Sequence, residues 1–345
     1  MSAMSDRRER PAPPGTPPGL DSRLPAATVL SPPSPPAGPA AGDDAVIRVE
    51  GLRKTYGRIV AVDRLDFTVR RGEIFGLLGP NGAGKTTAVE CIQGLRSFDG
   101  GSVDVVGLDP ATQSDELRRH IGCQLQQSAL ADNIRVWEAL DMFASLSGDP
   151  VDWRHLMREW GLEEKRSARF HSLSGGQKQR LFVALSLVND PEVVFLDEMT
   201  TGLDPAARRV AWGLVDELHA RGTTVVLVTH FMDEAERLCD RLAVMDHGRI
   251  IALDTPQGIV SSSGGGVRAV FSCEPTADLT FLADVRGVLD IGRGGRRVEV
   301  SGDGPHVPLV AAALVERGIV PVDFRVEQPS LEDAFLRLTG RGMED

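Results

Sequence analysis

The sequence predicts an α/β fold, with a mainly parallel sheet core, a helical insertion and a small C-terminal α+β domain. Three observations carry this. Short apolar runs at Ile74–Leu78, Val193–Leu196 and Val225–Val228 read as strands buried on both faces. Helical periodicity lies between them, as at Val210, Leu214, Val215 and Leu218, and strands alternating with helices point to a parallel sheet. A glycine-rich segment follows the first run directly, where such a strand turns into its helix.

Length and composition set the bounds. A chain of 345 residues is too long for one small core and suggests about two domains. With 41% hydrophobic and 25% charged residues it can bury a core, which rules out a wholly disordered or collagen-like chain. No stretch approaches the roughly 18 to 20 unbroken apolar residues of a spanning helix. The 49 acidic against 38 basic residues leave a net charge of −11, which disfavours a nucleic-acid backbone as main partner. Cys91, Cys123, Cys239 and Cys273 lie far apart without a CxxC pair, so a zinc site or disulfide framework is not expected and a reducing compartment is. Arg7, Arg8 and Arg10 are followed by prolines where a secretory signal needs an apolar run. The expectation is a cytoplasmic protein.

Eleven of the 22 prolines fall in the first 43 residues, so residues 1–44 read as a disordered, Pro-rich extension. Residues 45–260 read as the main domain. It opens on strands at Val46–Val49 and Leu65–Val69. A mainly helical part follows over about 124–188, where Trp137, Leu140, Met142, Phe143 and Leu146 fit one helix and Leu156, Met157 and Trp160 another. Residues 261–266 are a Ser/Gly linker. Residues 267–345 read as the small domain, with strands at Val267–Phe271, Val298–Val300 and Val320–Val326 and helices at His306–Arg317 and Ser330–Leu338.

Gly79-Pro80-Asn81-Gly82-Ala83-Gly84-Lys85-Thr86 matches the phosphate-binding pattern G-x-x-x-x-G-K-[ST]. Glycines let successive backbone N–H groups turn inward onto phosphate oxygens, and a helix starting near Lys85 adds its positive end. Lys85 can reach the β- and γ-phosphates, and the Thr86 hydroxyl, next to Thr87, can ligate Mg²⁺. Only four lysines occur in the chain, which makes a chance match rare. The run Val193–Leu196 ends in Asp197 and Glu198. After a P-loop, the first suits Mg²⁺ and the second suits polarising an attacking water.

Leu173-Ser174-Gly175-Gly176-Gln177, placed between the P-loop and the acid-ended strand, closely resembles the signature of ABC ATPases. The resemblance covers about Val46 to Val260 and includes every motif in order. It implies a P-loop NTPase core with an antiparallel β part, and a role for each matching position. Tyr56, the chain's one tyrosine, matches the aromatic that stacks on adenine. Gln126 matches the Q-loop glutamine that meets Mg²⁺ and senses the transport partner; Gln127 is adjacent, and spacing to Val136 and Leu140 favours Gln126. Asp204 matches the D-loop and His230 the switch histidine at the γ-phosphate. Met199 departs from the proline usual after the catalytic glutamate. The segment Gln328–Gly340 resembles the end of ABC-2-type export ATPases of the daunorubicin-resistance kind. Its Leu331, Ala334, Phe335 and Leu338 fall on one helix face.

The resemblance implies ATP and Mg²⁺ as cofactors and an ATP-dependent homodimer. There Ser174, Gly175, Gly176 and Gln177 of one subunit would close on ATP held at the other's Lys85. It further implies a separate membrane permease, a place on the inner face of the membrane, and export of a hydrophobic drug-like or lipid substrate. The alternative is a soluble ABC ATPase acting on nucleic acid or ribosomes. Chromosome-associated members carry a long coiled coil between P-loop and signature, whereas 87 residues separate Thr86 from Ser174 here. Ribosome-acting members carry two cassettes, and this chain has one signature. An unrelated P-loop kinase would leave Leu173–Gln177 unexplained.

Overall fold

A computed structural model describes residues 44–124, 130–147, 151–264, 266–340 and 342. The chain begins with two long strands, β1 (Ala45–Tyr56) and β2 (Ile59–Arg70), and then β3 (Ile74–Leu78), which leads through the P-loop into α1 (Lys85–Ile92). Next come β4 (Gly100–Val105), α2 (Ser114–His120) and β5 (Ile121–Gln124). The helical segment holds α3 (Val136–Leu146), α4 (Trp153–Glu159) and α5 (Gly175–Ser186). The chain then alternates through β6 (Val193–Asp197), α6 (Pro205–Ala220), β7 (Thr224–Thr229) and α7 (Met232–Leu238), and continues with β8 (Arg241–Asp246), β9 (Arg249–Asp254) and α8 (Pro256–Ser262). The last part comprises β10 (Val267–Ser272), β11 (Val288–Gly294), β12 (Arg297–Gly302), α9 (His306–Glu316), β13 (Val322–Glu327) and α10 (Leu331–Thr339).

These strands form three sheets. The central one has six strands in the order β5-β6-β7-β3-β8-β9, parallel except for the β8–β9 pair. Antiparallel β2-β1-β4 forms a second sheet, and antiparallel β11-β12-β10-β13 a third.

The three apolar runs of the sequence are the three middle strands, and every residue of β3, β6 and β7 is buried. Strand side chains alternate between faces, so each strand feeds two cores. Ile74, Leu78, Val194, Leu196, Val225 and Leu227 face the helical segment, α6 and α7. Phe75, Leu77, Val193, Phe195, Val226 and Val228 face α1 and the three-stranded sheet. Near 25 cal/mol per Å² of apolar surface, burial on both faces is what holds these short strands in place.

Several expectations are corrected in detail. The strands β4, β5, β8, β9 and β11 are additional to those expected, although β8 and β9 carry short apolar runs at 242–245 and 250–253. In α6, Val210 is exposed, and Ala211 is buried with Leu214, Val215 and Leu218 instead. In α3, Leu140 is buried, but Met142, Phe143 and Leu146 are 42%, 36% and 79% exposed and form an outward apolar stripe. The helix α8 extends through Ser261 and Ser262, so the first two residues of the expected linker are helical.

Around Ala269, Phe271, Val298, Val300, Val310 and Leu314 the third sheet and α9 build a core of their own. The helix α10 does not join it. Its Leu331, Ala334 and Phe335 are buried in the cluster that contains Ala235, Leu238 and Ile259, on the helical face of the central sheet. Leu338, the fourth residue of the expected face, is 40% exposed. Arg268 of β10 donates to both carboxylate oxygens of Asp333 at 2.9 Å, and Glu236 of α7 accepts from the Leu331 amide. The end of the chain is thereby tied to the P-loop half. Replacing Phe335, 1% exposed, by Ala leaves a cavity worth about 3 to 5 kcal/mol. Thermal unfolding of Phe335→Ala is expected at a clearly lower temperature, in the same transition as the P-loop half; an unchanged midpoint would contradict this packing.

Candidate nucleotide site

Ligands of open parallel sheets bind beyond the carboxyl ends of the strands. Here β7 lies between β6 and β3, and Asp197 pairs with Val228 while Leu78 pairs with Thr229. Glu198, His230 and Gly79 therefore leave the sheet side by side at one edge.

Two glycines are required by close approach in the P-loop. A Cβ on Gly79 would lie 2.3 Å from the Met245 carbonyl oxygen. One on Gly84, whose φ is +97°, would lie 2.2 Å from that of Ala61. Lys85 is the first residue of α1 and 4% exposed. Its Nζ donates to the carbonyl oxygens of Gly79 at 2.7 Å and Pro80 at 3.0 Å. Burial pulls its pKa below the ordinary lysine value, and the nearby Glu198 and Asp197 oppose that pull.

Asp197 ends β6 and is buried, and its Oδ1 has no hydrogen-bond partner among the described residues. Burial, aided by Glu198, pushes its pKa up to about 6, against the pull of Lys85. Glu198 takes a left-handed backbone, φ 48°, which is strained for a residue with a Cβ. Its Oε1 lies 3.2 Å from His230 Nδ1, and its Oε2 accepts from the Thr201 hydroxyl at 3.5 Å.

A cavity of about 520 Å³ opens at this edge. Asn81, Gly82, Gly84, Lys85, Thr86 and Thr87 line one side and Glu198 another, with Ile59, Val60, Ala61, His247 and Gly248 completing it. Tyr56 is not in the lining. It is 40% exposed at the end of β1, paired with Ile59, with Lys54 and Arg96 cations 5.6 and 5.5 Å from its ring centre. The apolar surface that meets the cavity is instead Ile59 and Val60, 70% and 41% exposed. Sequence reasoning passed them over, although exposed apolar neighbours beside a turn were a usable signal.

The signature and Asp204 lie elsewhere. Ser174 caps α5 in a capping box: Gln177 Oε1 accepts from the Ser174 amide at 3.0 Å, and Ser174 Oγ accepts from the Gln177 amide at 3.4 Å. Ser174 and Gly175 are exposed, and neither they, Gly176 nor Gln177 line the cavity. Asp204 is exposed and caps α6, accepting from the amides of Ala206 and Ala207 at 2.9 Å each. Gln126 lies outside the described residues. A buried acid was also missed. Glu234 of α7 is fully buried, accepts from Trp212 Nε1 at 3.1 Å, and has its pKa raised by burial against the pull of Thr229, Thr200, Trp212 and Arg208.

The description "ABC transporter" belongs to the family model that matches residues 62–201. A Nod factor export ATP-binding protein I of Ralstonia nicotianae is 41% identical over 326 residues, spanning 90% of this chain and 98% of that one. The chain belongs to the ABC transporter ATPases. The daunorubicin resistance ATP-binding protein DrrA2 of Streptomyces coeruleorubidus is 38% identical over 317 residues, covering 88% of this chain and 98% of that one. Among solved structures, an ATP-binding subunit of an ABC transporter matches with TM-score 0.57 and 28% identity over 64% of this chain and 93% of that one. The expected P-loop NTPase fold, ATP binding, ATPase activity and likeness to ABC-2-type export ATPases are borne out. Among the described residues, no helix is long and apolar enough to cross a membrane.

The Asp197 shift makes a testable statement. With its folded pKa raised, the folded protein binds the proton more tightly than the unfolded chain does, so stability falls as pH rises from about 4 to about 6. Above that window the ionised, buried carboxylate costs on the order of 2 kcal/mol. Nucleotide-free Asp197→Asn is therefore expected to unfold at a higher temperature than the parent at pH 8, with the gap closing toward pH 5. An equal or lower midpoint at pH 8 would contradict the assigned cost.

Proposed function

We propose that this chain is the ATP-hydrolysing subunit of an exporter, with the cavity at Lys85 as its ATP site. The carrying observation is the convergence of the P-loop, Asp197, Glu198 and His230 at one sheet edge. In this reading Lys85 gives up its two carbonyl bonds for β- and γ-phosphate oxygens, while the loop N–H groups from Asn81 onward and the start of α1 hold the rest. Glu198 accepts the proton of the attacking water, and His230, beside it, contacts the γ-phosphate. Ile59 and Val60 supply the apolar floor near the base, with Tyr56 stacking from the hairpin end.

Mg²⁺ fits the donor set: Asp197 offers a buried carboxylate oxygen without a hydrogen-bond partner at the end of β6, and Thr86 a hydroxyl on the cavity wall, hard oxygen ligands of the kind this ion takes. Bound there, the ion would neutralise phosphate charge. Gln126 is proposed as its further ligand from sequence alone.

Ser174 and Gly175 are exposed, Gly176 and Gln177 half-buried, and none of the four lines their own chain's cavity, which supports a homodimer in which they close on the partner's ATP. Asp204, beside them through the Leu203–Gly175 approach, joins that seam. The partner in the membrane would be a separate permease. A groove of about 300 Å³ carries exposed Leu95, Phe143 and Leu146 beside Arg118 and Cys123, which suits an amphipathic permease helix. The protein would then sit peripherally on the inner face of the membrane. Relatives named for Nod factor export and daunorubicin resistance support a hydrophobic, drug-like or lipid cargo. The same names give the nucleic-acid alternative no support.

Glu198→Gln is expected to bind ATP with unchanged affinity and to hydrolyse it at least about a hundredfold more slowly, the usual contribution of a positioned base. Nucleotide titration and phosphate release measure the two. Near-normal turnover would remove Glu198 from this role.

A further inference from the structure

Gln179, one turn into α5 beyond the signature, is held at both ends. Its Nε2 donates to the Met199 carbonyl at 2.6 Å, and its Oε1 accepts from Gln124 Nε2 at 2.8 Å. A backbone carbonyl can only accept, so Met199 fixes which end of the Gln179 amide faces it. The amide oxygen is thereby left for Gln124, which must donate. Met199 is 2% exposed and Gln124 4%, while Gln179 is half-buried, so both bonds are partly shielded from water and breaking them is costly. One line of side chains thus joins the end of β5, the signature helix and the turn that follows Glu198.

That turn is the strained one. Glu198 sits at φ 48°, its amide donates to the Val228 carbonyl at 2.9 Å, and its own carbonyl accepts from Thr201 at 3.1 Å. A left-handed residue with a Cβ persists only where its surroundings hold it. The Gln179–Met199 bond is the hold that comes from α5.

We propose that Gln179 is a positioning residue for hydrolysis: it fixes the backbone beside Glu198 to the signature helix of the same chain. Because Ser174 and Gly175 begin that helix, a shift of α5 as they engage the partner's ATP moves the Met199 carbonyl and re-aims Glu198 toward its own chain's ATP. The two ATP sites of a dimer are thereby mechanically linked through each chain. This rests on the reading of Glu198 as base and of the signature as acting across a dimer.

The test measures single-turnover ATP hydrolysis, ATP affinity and thermal unfolding for full-length Gln179→Leu, Gln179→Glu, Glu198→Gln and Gln179→Leu/Glu198→Gln. The Glu variant keeps the acceptor that Gln124 needs but cannot donate to Met199, so it serves where the Leu variant does not fold. Both single Gln179 variants are expected to hydrolyse about tenfold or more slowly with unchanged ATP affinity. The double variant should be no slower than Glu198→Gln, since Gln179 acts through Glu198. Wild-type rates in the Gln179 variants overturn the proposal while leaving the base in place. An equal further loss in the Glu198→Gln background also overturns it, because Gln179 would then act independently. Near-normal hydrolysis by Glu198→Gln removes the base reading and this proposal with it.

Discussion

A buried ammonium facing two buried carboxylates is the constraint around which the sheet edge is organised. Lys85 is enclosed by its own loop, Asp197 and Glu198 stand within its field, and the lysine and the aspartate are both perturbed by loss of water and by their charged neighbours. Three charges in so small a volume leave one acid orphaned and the lysine tied to carbonyls that offer no net charge. The proposed ligand, a polyanion with a divalent cation, would answer both needs: phosphate would take the lysine, and the cation the aspartate. A ligand that binds such a site in the folded protein stabilises the fold.

How much of this is legible in the sequence follows from where each residue is buried. The strands β3, β6 and β7 were readable because both faces are covered, so their residues are almost all apolar. The edge strands were not. β4 opens on Gly100 and Gly101 and β5 is four residues long, so composition hides them. The P-loop and the acid pair were legible because phosphate chemistry dictates residue type at fixed spacing. The Gln124–Gln179–Met199 line and the burial of Glu234 were not, since their partners are 20 to 55 residues apart in sequence. Amphipathic periodicity also misled locally. Val210 and Phe143 fit their helices but face outward, because period alone does not say which apolar residue meets the core.

The end of the chain shows the same limit in larger form. Periodicity identified α10 but not its destination. Leu331, Ala334 and Phe335 return to the helical face of the central sheet, although β10–β13 and α9 have a separate core. A bidentate Arg268–Asp333 pair and the capped start of α10 fix the return. The third sheet is therefore anchored to α7, the helix that directly follows His230.

In the proposed dimer the site on one chain is only half of the whole. Its cavity has the P-loop with Lys85 on one side and Glu198 on another, while Ser174 and Gly175 of the signature are exposed outside that lining. The most direct measurement mixes two inactive proteins, one Lys85→Ala and one Ser174→Arg, and follows phosphate release. If each active site is built from the P-loop of one chain and the signature of another, mixed dimers regain one intact site and activity returns. Silence in the mixture, with dimers demonstrably exchanging, would contradict the account.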